Sequence, residues 1–430
     1  MTRWQSAALG LLASLYLGVL DRTATGQGAQ PAGPGAVLQQ LVSSGQASPV
    51  GGSFDRFELA GQAIPAPSNG HGEVAFFSTL VRSEADEGLF LVAGDRLGKI
   101  AVVGDIVPTG ERVTDFTDRP SIALNDAGAA AFVAALAGGR ATSGVFVAAN
   151  GFIDAAAVSG ATVSDIPTGT LTSFEGPAVD DAGGVAFLAS VRRGRTLSDA
   201  ILIRRDGVLR KIAAAGDDAP DGGVFAGFGA PAISRRGQVA FAAILEQGSA
   251  LGGIYVFARE RVKLAIAVGS PAPGGGIFAK FSEQVAINDE GAVAFSAGLR
   301  QGGPQSAIFL AEDGHARAVA AIGDSAPGGG VFAAFPSPPV LSQTGDIAFV
   351  AAVDGGSTPL GIYHAGPGGI ERLAGLGDIS PQGPKITAFP RYPAISISPD
   401  GALTFVATTE HDGRAKDALF YLGAPRQARH

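Results

Sequence analysis

Apolar and polar residues alternate along this chain in short bursts, and the bursts recur. A glycine closes a short polar turn, an apolar stretch follows, and a phenylalanine stands four residues after the glycine. The unit appears at Gly72, Gly128, Gly183, Gly237, Gly291, Gly345 and Gly401, in steps of 56, 55, 54, 54, 54 and 56 residues. Self-similarity at a fixed period of this length marks a repeat architecture. In the unit around Gly291, Gln284 to Ile287 predicts a short strand and Asn288-Asp289-Glu290-Gly291 a turn, with Asn favoured at its start. Ala292 to Leu299 alternates small and large apolar residues, a strand signal. A polar loop from Arg300 to Gln305 precedes a strand at Ala307 to Leu310. A turn at Asp313-Gly314 then leads into a strand from Ala316 to Ile322. Asn150-Gly151 and Asp206-Gly207 repeat that hairpin signal in other units.

Four strands in each of seven units, with no helical period, predict an all-β fold: a seven-bladed β-propeller of four-stranded antiparallel blades. The chain ends separate a ring from an open solenoid. No fourth strand follows Leu422, the end of the last unit's third strand. The stretch Ala32 to Leu41 resembles Ala365 to Leu373, read as the fourth strand of the sixth unit. The N-terminal stretch is therefore expected to complete the last blade, which closes the ring and hides its edges. A solenoid would carry polar caps instead.

Composition narrows the setting. Hydrophobic residues make up 46% of the 430, charged residues only 16%, and 64 Gly and 26 Pro punctuate the chain. A net charge of −8 argues against a nucleic-acid partner, because phosphate contacts need a basic face. Residues 1–30 read as a signal peptide and start segment. Arg3 is its positive end, Ala7 to Leu20 its uncharged apolar run, and Ala24-Thr25-Gly26 a small-residue cleavage site. That run is short of the ~20 residues that span a bilayer, although an uncleaved anchor is the alternative. Residues 31–423 are assigned to the propeller and 424–430 to a flexible tail. With no cysteine, the chain has neither disulfides nor an acylated lipoprotein cysteine. The expectation is an exported monomer, periplasmic, cell-surface or secreted, with no transmembrane span once the leader is removed.

The recurring Asn-x-x-Gly-x-x-Ala-Phe, as in Asn125 to Phe132 and Asn288 to Phe295, resembles the NxxGxxAF tandem-repeat proteins of bacterial envelopes. The last unit, Pro393 to Phe405, is similar to the PD40 repeat of TolB-type propellers. The Asn is replaced by Asp180, Ser234, Ser342 and Ser398 in four units, each still a turn former. The resemblance implies export and envelope association and implies no reaction.

Two sets of loops are candidates for chemistry. The first is a Gly-Asp-x-x-Pro stretch between units, which places Asp105, Asp217, Asp324 and Asp378 at equivalent positions. A ring of carboxylates could hold Ca²⁺, which takes six to eight oxygens. The alternative is that each Asp caps its own turn. The second set joins second to third strands and differs from unit to unit. Its candidate ligand-binding residues are Arg82, Glu84, Arg192, Arg193, Arg195, His411, Asp412 and Arg414. Variation on a constant scaffold is where specificity is normally placed. The motifs H-E-x-x-H, G-x-S-x-G and G-x-x-x-x-G-K-[ST] are absent, so no catalytic residue is assigned. The sequence thus favours a non-enzymatic binding or scaffold module for a protein or polysaccharide in the bacterial envelope. The competing reading is a hydrolase or lyase on sugars or lactones, assisted by Ca²⁺ at the channel mouth.

Overall fold

A computed structural model describes residues 38–117, 120–379, 385–411 and 413–423. The expected leader at 1–30 and tail at 424–430 lie outside them. The described residues form seven antiparallel blades in chain order, all of strand. Blade 4 shows the plan. Its first strand is split into Val224–Phe228 and Ala232–Ile233. The second is Val239–Glu246, the third Gly252–Ala258 and the fourth Arg261–Ala267. The sequence locates only the second half of each first strand. The first half, around Phe225 here, lies beyond the Gly-Asp-x-x-Pro stretch.

The ring is visible in the packing. Seven apolar clusters fill the structure, and each joins two neighbouring blades. Phe187 of blade 3 packs with Val133 and Val145 of blade 2, and Ile308 of blade 5 with Phe349 of blade 6. The cluster that closes the circle sets Val406 and Leu419 of blade 7 against Phe54, Phe76 and Phe90 of blade 1. Each repeated Phe has one job in this scheme. In six blades it packs on the aromatic directly across from it on the third strand, as in Phe241–Tyr255 and Phe405–Phe420, with ring centroids 5.8 and 5.3 Å apart; in blade 3 Phe187 faces Leu202 and meets Phe174 instead. Such pairs stabilise beyond their buried area by about 0.5–1.5 kcal/mol.

The closing strand is where the sequence places it. Leu38–Ser43 pairs antiparallel with the third strand of blade 7, Arg414–Leu422, from Leu38 opposite Leu422 to Ser43 opposite Ala418. Its Leu38 and Val42 are buried. A second clasp at the same seam has no sequence signal. In blade 1 the first strand is interrupted by a hairpin, Glu58–Leu59 with Gln62–Ala63. Ala63 N–H donates to Tyr392 O at 3.0 Å, and Tyr392 N–H donates to Gly61 O at 2.9 Å, so blade 1 grips blade 7 from within the ring.

Candidate functional site

The ring has two faces of different chemistry. On one lie the turns between first and second strands, together with the hairpins between third and fourth strands. Here the repeated Asn has two roles. Asn125 Oδ1 accepts Ala129 N–H at 2.8 Å, capping its own turn, while Nδ2 donates to Asp180 O of the next blade at 2.8 Å. Asn69 reaches Asn125 O in the same way. Ser234, Ser342 and Ser398 keep the cap through Oγ, but a hydroxyl is too short to cross to the next blade.

The residue after it continues the link. Gly70 N–H donates to Asp126 Oδ1 (2.8 Å), Asp126 N–H to Asp181 Oδ1 (3.1 Å), and Asp181 N–H to Arg235 O (3.3 Å). Arg236 N–H donates to Asp289 Oδ1 (3.0 Å), Asp289 N–H to Gln343 Oε1 (2.7 Å), and Gln343 N–H to Pro399 O (3.2 Å). Blade-to-blade bonds thus run from blade 1 to blade 7 as a collar. Arg235 ties two blades at once, with Nη2 2.8 Å from Asp126 and Nε 2.6 Å from Asp181. Arg205 sits on Asp180 and on the carbonyl of Gly237, and Arg204 on Asp154. Charge in the turns between first and second strands is spent on the ring itself, while the hairpins between third and fourth strands carry exposed Asp206, Arg259, Glu260 and Arg261.

The opposite face carries the loops between second and third strands and the connections between blades. The two kinds of loop press together. A side chain at Gly223 or Gly276, where φ is +85° and +77°, would collide with the backbone of Gly248 or Gly302. In blade 2, Glu111 replaces that glycine, and its Oε1 accepts Arg140 N–H and Ala141 N–H of the facing loop.

The aspartates of the Gly-Asp-x-x-Pro stretches sit here in four separate connections. The Oδ2 of Asp105, Asp217 and Asp324 accepts a backbone N–H three residues upstream, at 2.8–2.9 Å. Lys99 and Lys211 pair with the first two, at 2.8 and 2.9 Å, and Arg372 pairs with Asp378 at 2.8 Å. This donor set fits turn capping. Among the described residues no three His, Asp or Glu side chains converge as an ion would require.

The candidate binding residues are also on this face. Arg82 and Glu84 are exposed in blade 1, Arg192, Arg193 and Arg195 in one hairpin of blade 3, and Arg414 in blade 7. They stand in three blades, and only the blade 3 arginines form a cluster. His411 is paired through its backbone with Arg414, and Asp412 lies outside the described residues. Sequence reasoning missed the apolar part of this face. Of nine large apolar side chains exposed among the described residues, Val81, Ile106, Leu197, Leu251, Val331 and Ile379 are at loop-face ends of strands or in its loops. Phe152 and Val208 are on the collar face, and Tyr392 is at the clasp between blades 1 and 7. Two outer clefts, about 490 Å³ between blades 1 and 2 and about 620 Å³ beside blades 3 and 4, lie on the rim.

A family model described as a family of unknown function (DUF7453) matches residues 12–308 and 247–423. No curated protein matches the chain. Solved structures similar to it include a puromycin-hydrolyzing peptidase of Mycobacterium tuberculosis, at 11% identity and a TM-score of 0.47, covering 91% of this chain and 56% of that one. A Trypanosoma rangeli sialidase aligns at 12% identity and 0.38, covering 92% and 59%. The polysaccharide lyase Uly1 aligns at 9% and 0.39, covering 91% and 99%. The chain spans less than two thirds of the first two. At these values the likenesses carry no argument about activity.

Proposed function

The chain belongs to that family of unknown function, DUF7453, and we propose that it is a binding or scaffold propeller that holds a macromolecular partner on its loop face. The observation that carries this is the contrast between faces. The turns of the collar bond their charged side chains across the blades, whereas the loop face gathers six of the nine exposed large apolar side chains of the described residues beside exposed arginines. Scattered apolar residues need no explanation, but apolar groups gathered on one face and rimmed by polar ones mark interaction surfaces. In this reading the protein is exported by its N-terminal segment and works in the cell envelope.

The test is capture of partners from an envelope extract of the source cell by the mature chain. Ile106→Ser with Ile379→Ser on the loop face should abolish capture, while Phe152→Ser with Val208→Ser on the collar face should leave it intact. Loss through the collar-face pair, or capture indifferent to both, overturns the proposal.

A further inference from the structure

The loop face is not uniform, and blades 3 and 4 carry its most distinctive sector. Arg192, Arg193 and Arg195 occupy three of four consecutive positions of the hairpin between the second and third strands of blade 3, and all three are exposed. Among the described residues no carboxylate pairs with any of them; on the other face Arg204, Arg205, Arg235 and Arg236 each have one, and Arg259 and Arg261 stand exposed singly about a turn. Three carboxylates of this sector are committed elsewhere, while Asp218 is exposed in the connection between blades 3 and 4. Asp199 accepts from Ser190 Oγ at 3.2 Å, Asp221 from Tyr255 Oη at 2.9 Å, and Asp217 pairs with Lys211.

Apolar surface accompanies this charge. Leu197, directly across the hairpin from Arg192, is 57% exposed. Leu251, in the corresponding loop of blade 4, is 69% exposed. The two are joined through the scaffold. Leu251's loop lies against Gly223, and the strand that follows, Val224–Phe228, packs on Leu197's strand, Thr196–Arg205.

Resting on the loop-face reading, we propose that this sector docks an acidic protein segment whose carboxylates alternate with aliphatic side chains. The argument is complementarity of two kinds. Guanidinium forks match carboxylates with two parallel hydrogen bonds, and three forks in a row call for a series of carboxylates. The exposed leucines select the class of partner. An acidic polysaccharide would satisfy the arginines but would gain nothing from aliphatic side chains, because sugars stack on aromatic rings and no large aromatic is exposed in this sector. A protein segment satisfies both.

The experiment uses the mature full chain and a fluorescein-labelled peptide of glutamate and leucine in a two-to-one ratio, read by anisotropy. Control peptides replace glutamate by glutamine or leucine by serine, and polygalacturonate is the competing glycan probe. The parent peptide should bind, and each control should bind at least tenfold more weakly. R192A/R193A/R195A and L197S/L251S should each weaken binding at least tenfold without shifting thermal unfolding, since every altered side chain is exposed. Binding untouched by either variant overturns the assignment, as does failure of the parent peptide to bind. Arginine-dependent, leucine-independent binding of polygalacturonate would replace the protein segment by a glycan. If the peptide fails while Ile106→Ser with Ile379→Ser still abolishes capture, the loop-face reading stands and only this sector's assignment falls.

Discussion

Ring closure can be tested at two side chains. Leu38 and Val42 of the closing strand are 5% and 0% exposed. Leu38 packs with Ile362 and Leu373 of blade 6, and Val42 with Phe54, Phe76 and Phe90 of blade 1. Changing both to alanine leaves the strand's backbone pairing to Arg414–Leu422 intact and removes only packing. Val42→Ala deletes two methylene equivalents, about 1.6 kcal/mol of transfer free energy plus a cavity cost. Leu38→Ala in a core costs about 2–5 kcal/mol. The sites serve different clusters, so the costs should add to roughly 4–7 kcal/mol. A ring of roughly 390 residues unfolding as one unit has an unfolding entropy near 0.8 kcal/mol/K, so the midpoint should fall by about 5–9 °C. Differential scanning calorimetry on the chain reads this directly, with exposed Gln39→Ala as the control. A double variant that melts with the parent would refute closure by this strand, because an N-terminal segment outside the ring contributes nothing to its core.

Two further outcomes follow from the collar face. His364 in blade 6 lies between Asp346 (Nε2 to Oδ1, 3.3 Å) and Glu371 (Nδ1 to Oε1, 3.1 Å). Its hydrogen bond to Asp346 raises the imidazole above the ordinary 6.5, and the same bond lowers the Asp346 carboxyl below 3.8. The histidine's contribution is complete below about pH 6.5 and is lost as pH rises through its raised folded value. The aspartate's is complete above about pH 3.8 and is lost as pH falls through its lowered one. His364→Gln should therefore lower the melting midpoint more at pH 5 than at pH 8.5, and equal losses at both would show that the pair does not titrate as described. Arg235→Ala leaves Asp126 and Asp181 unpaired across two blades. Because Arg235 is about 40% exposed, the expected cost is only about 1 kcal/mol, read by denaturant unfolding, and a stabilised variant would contradict the collar.

The sequence makes legible whatever each repeat must solve alone. Gly291 and its equivalents close a turn that every blade needs, and Phe295 and its equivalents fill one position between every pair of blades. Contacts between repeats are harder to read, though some leave a trace. Aligning the units places Asp126, Asp181, Arg235, Asp289 and Gln343 at one position, and alternating carboxylate, cation and amide there is a signal for a linked collar. His364 and Glu371 face each other across a short hairpin and were findable on that ground. The hairpin at Glu58–Ala63 left no trace, because its turn uses Ala60 at φ +50° in place of Asn or Asp. Leu197 and Leu251 are equally silent, since an apolar residue in a strand or loop reads the same whether it ends in the core or in water. The candidate loops were therefore visible through their charges alone, and their apolar half emerged only with the fold.

Whether the loop face is the binding face can be read by hydrogen–deuterium exchange on the chain bound to its captured partner. Exchange should slow at residues 81–86, 191–197 and 247–251 and stay unchanged at residues 150–152 and 206–208. Protection confined to those collar-face hairpins would contradict it.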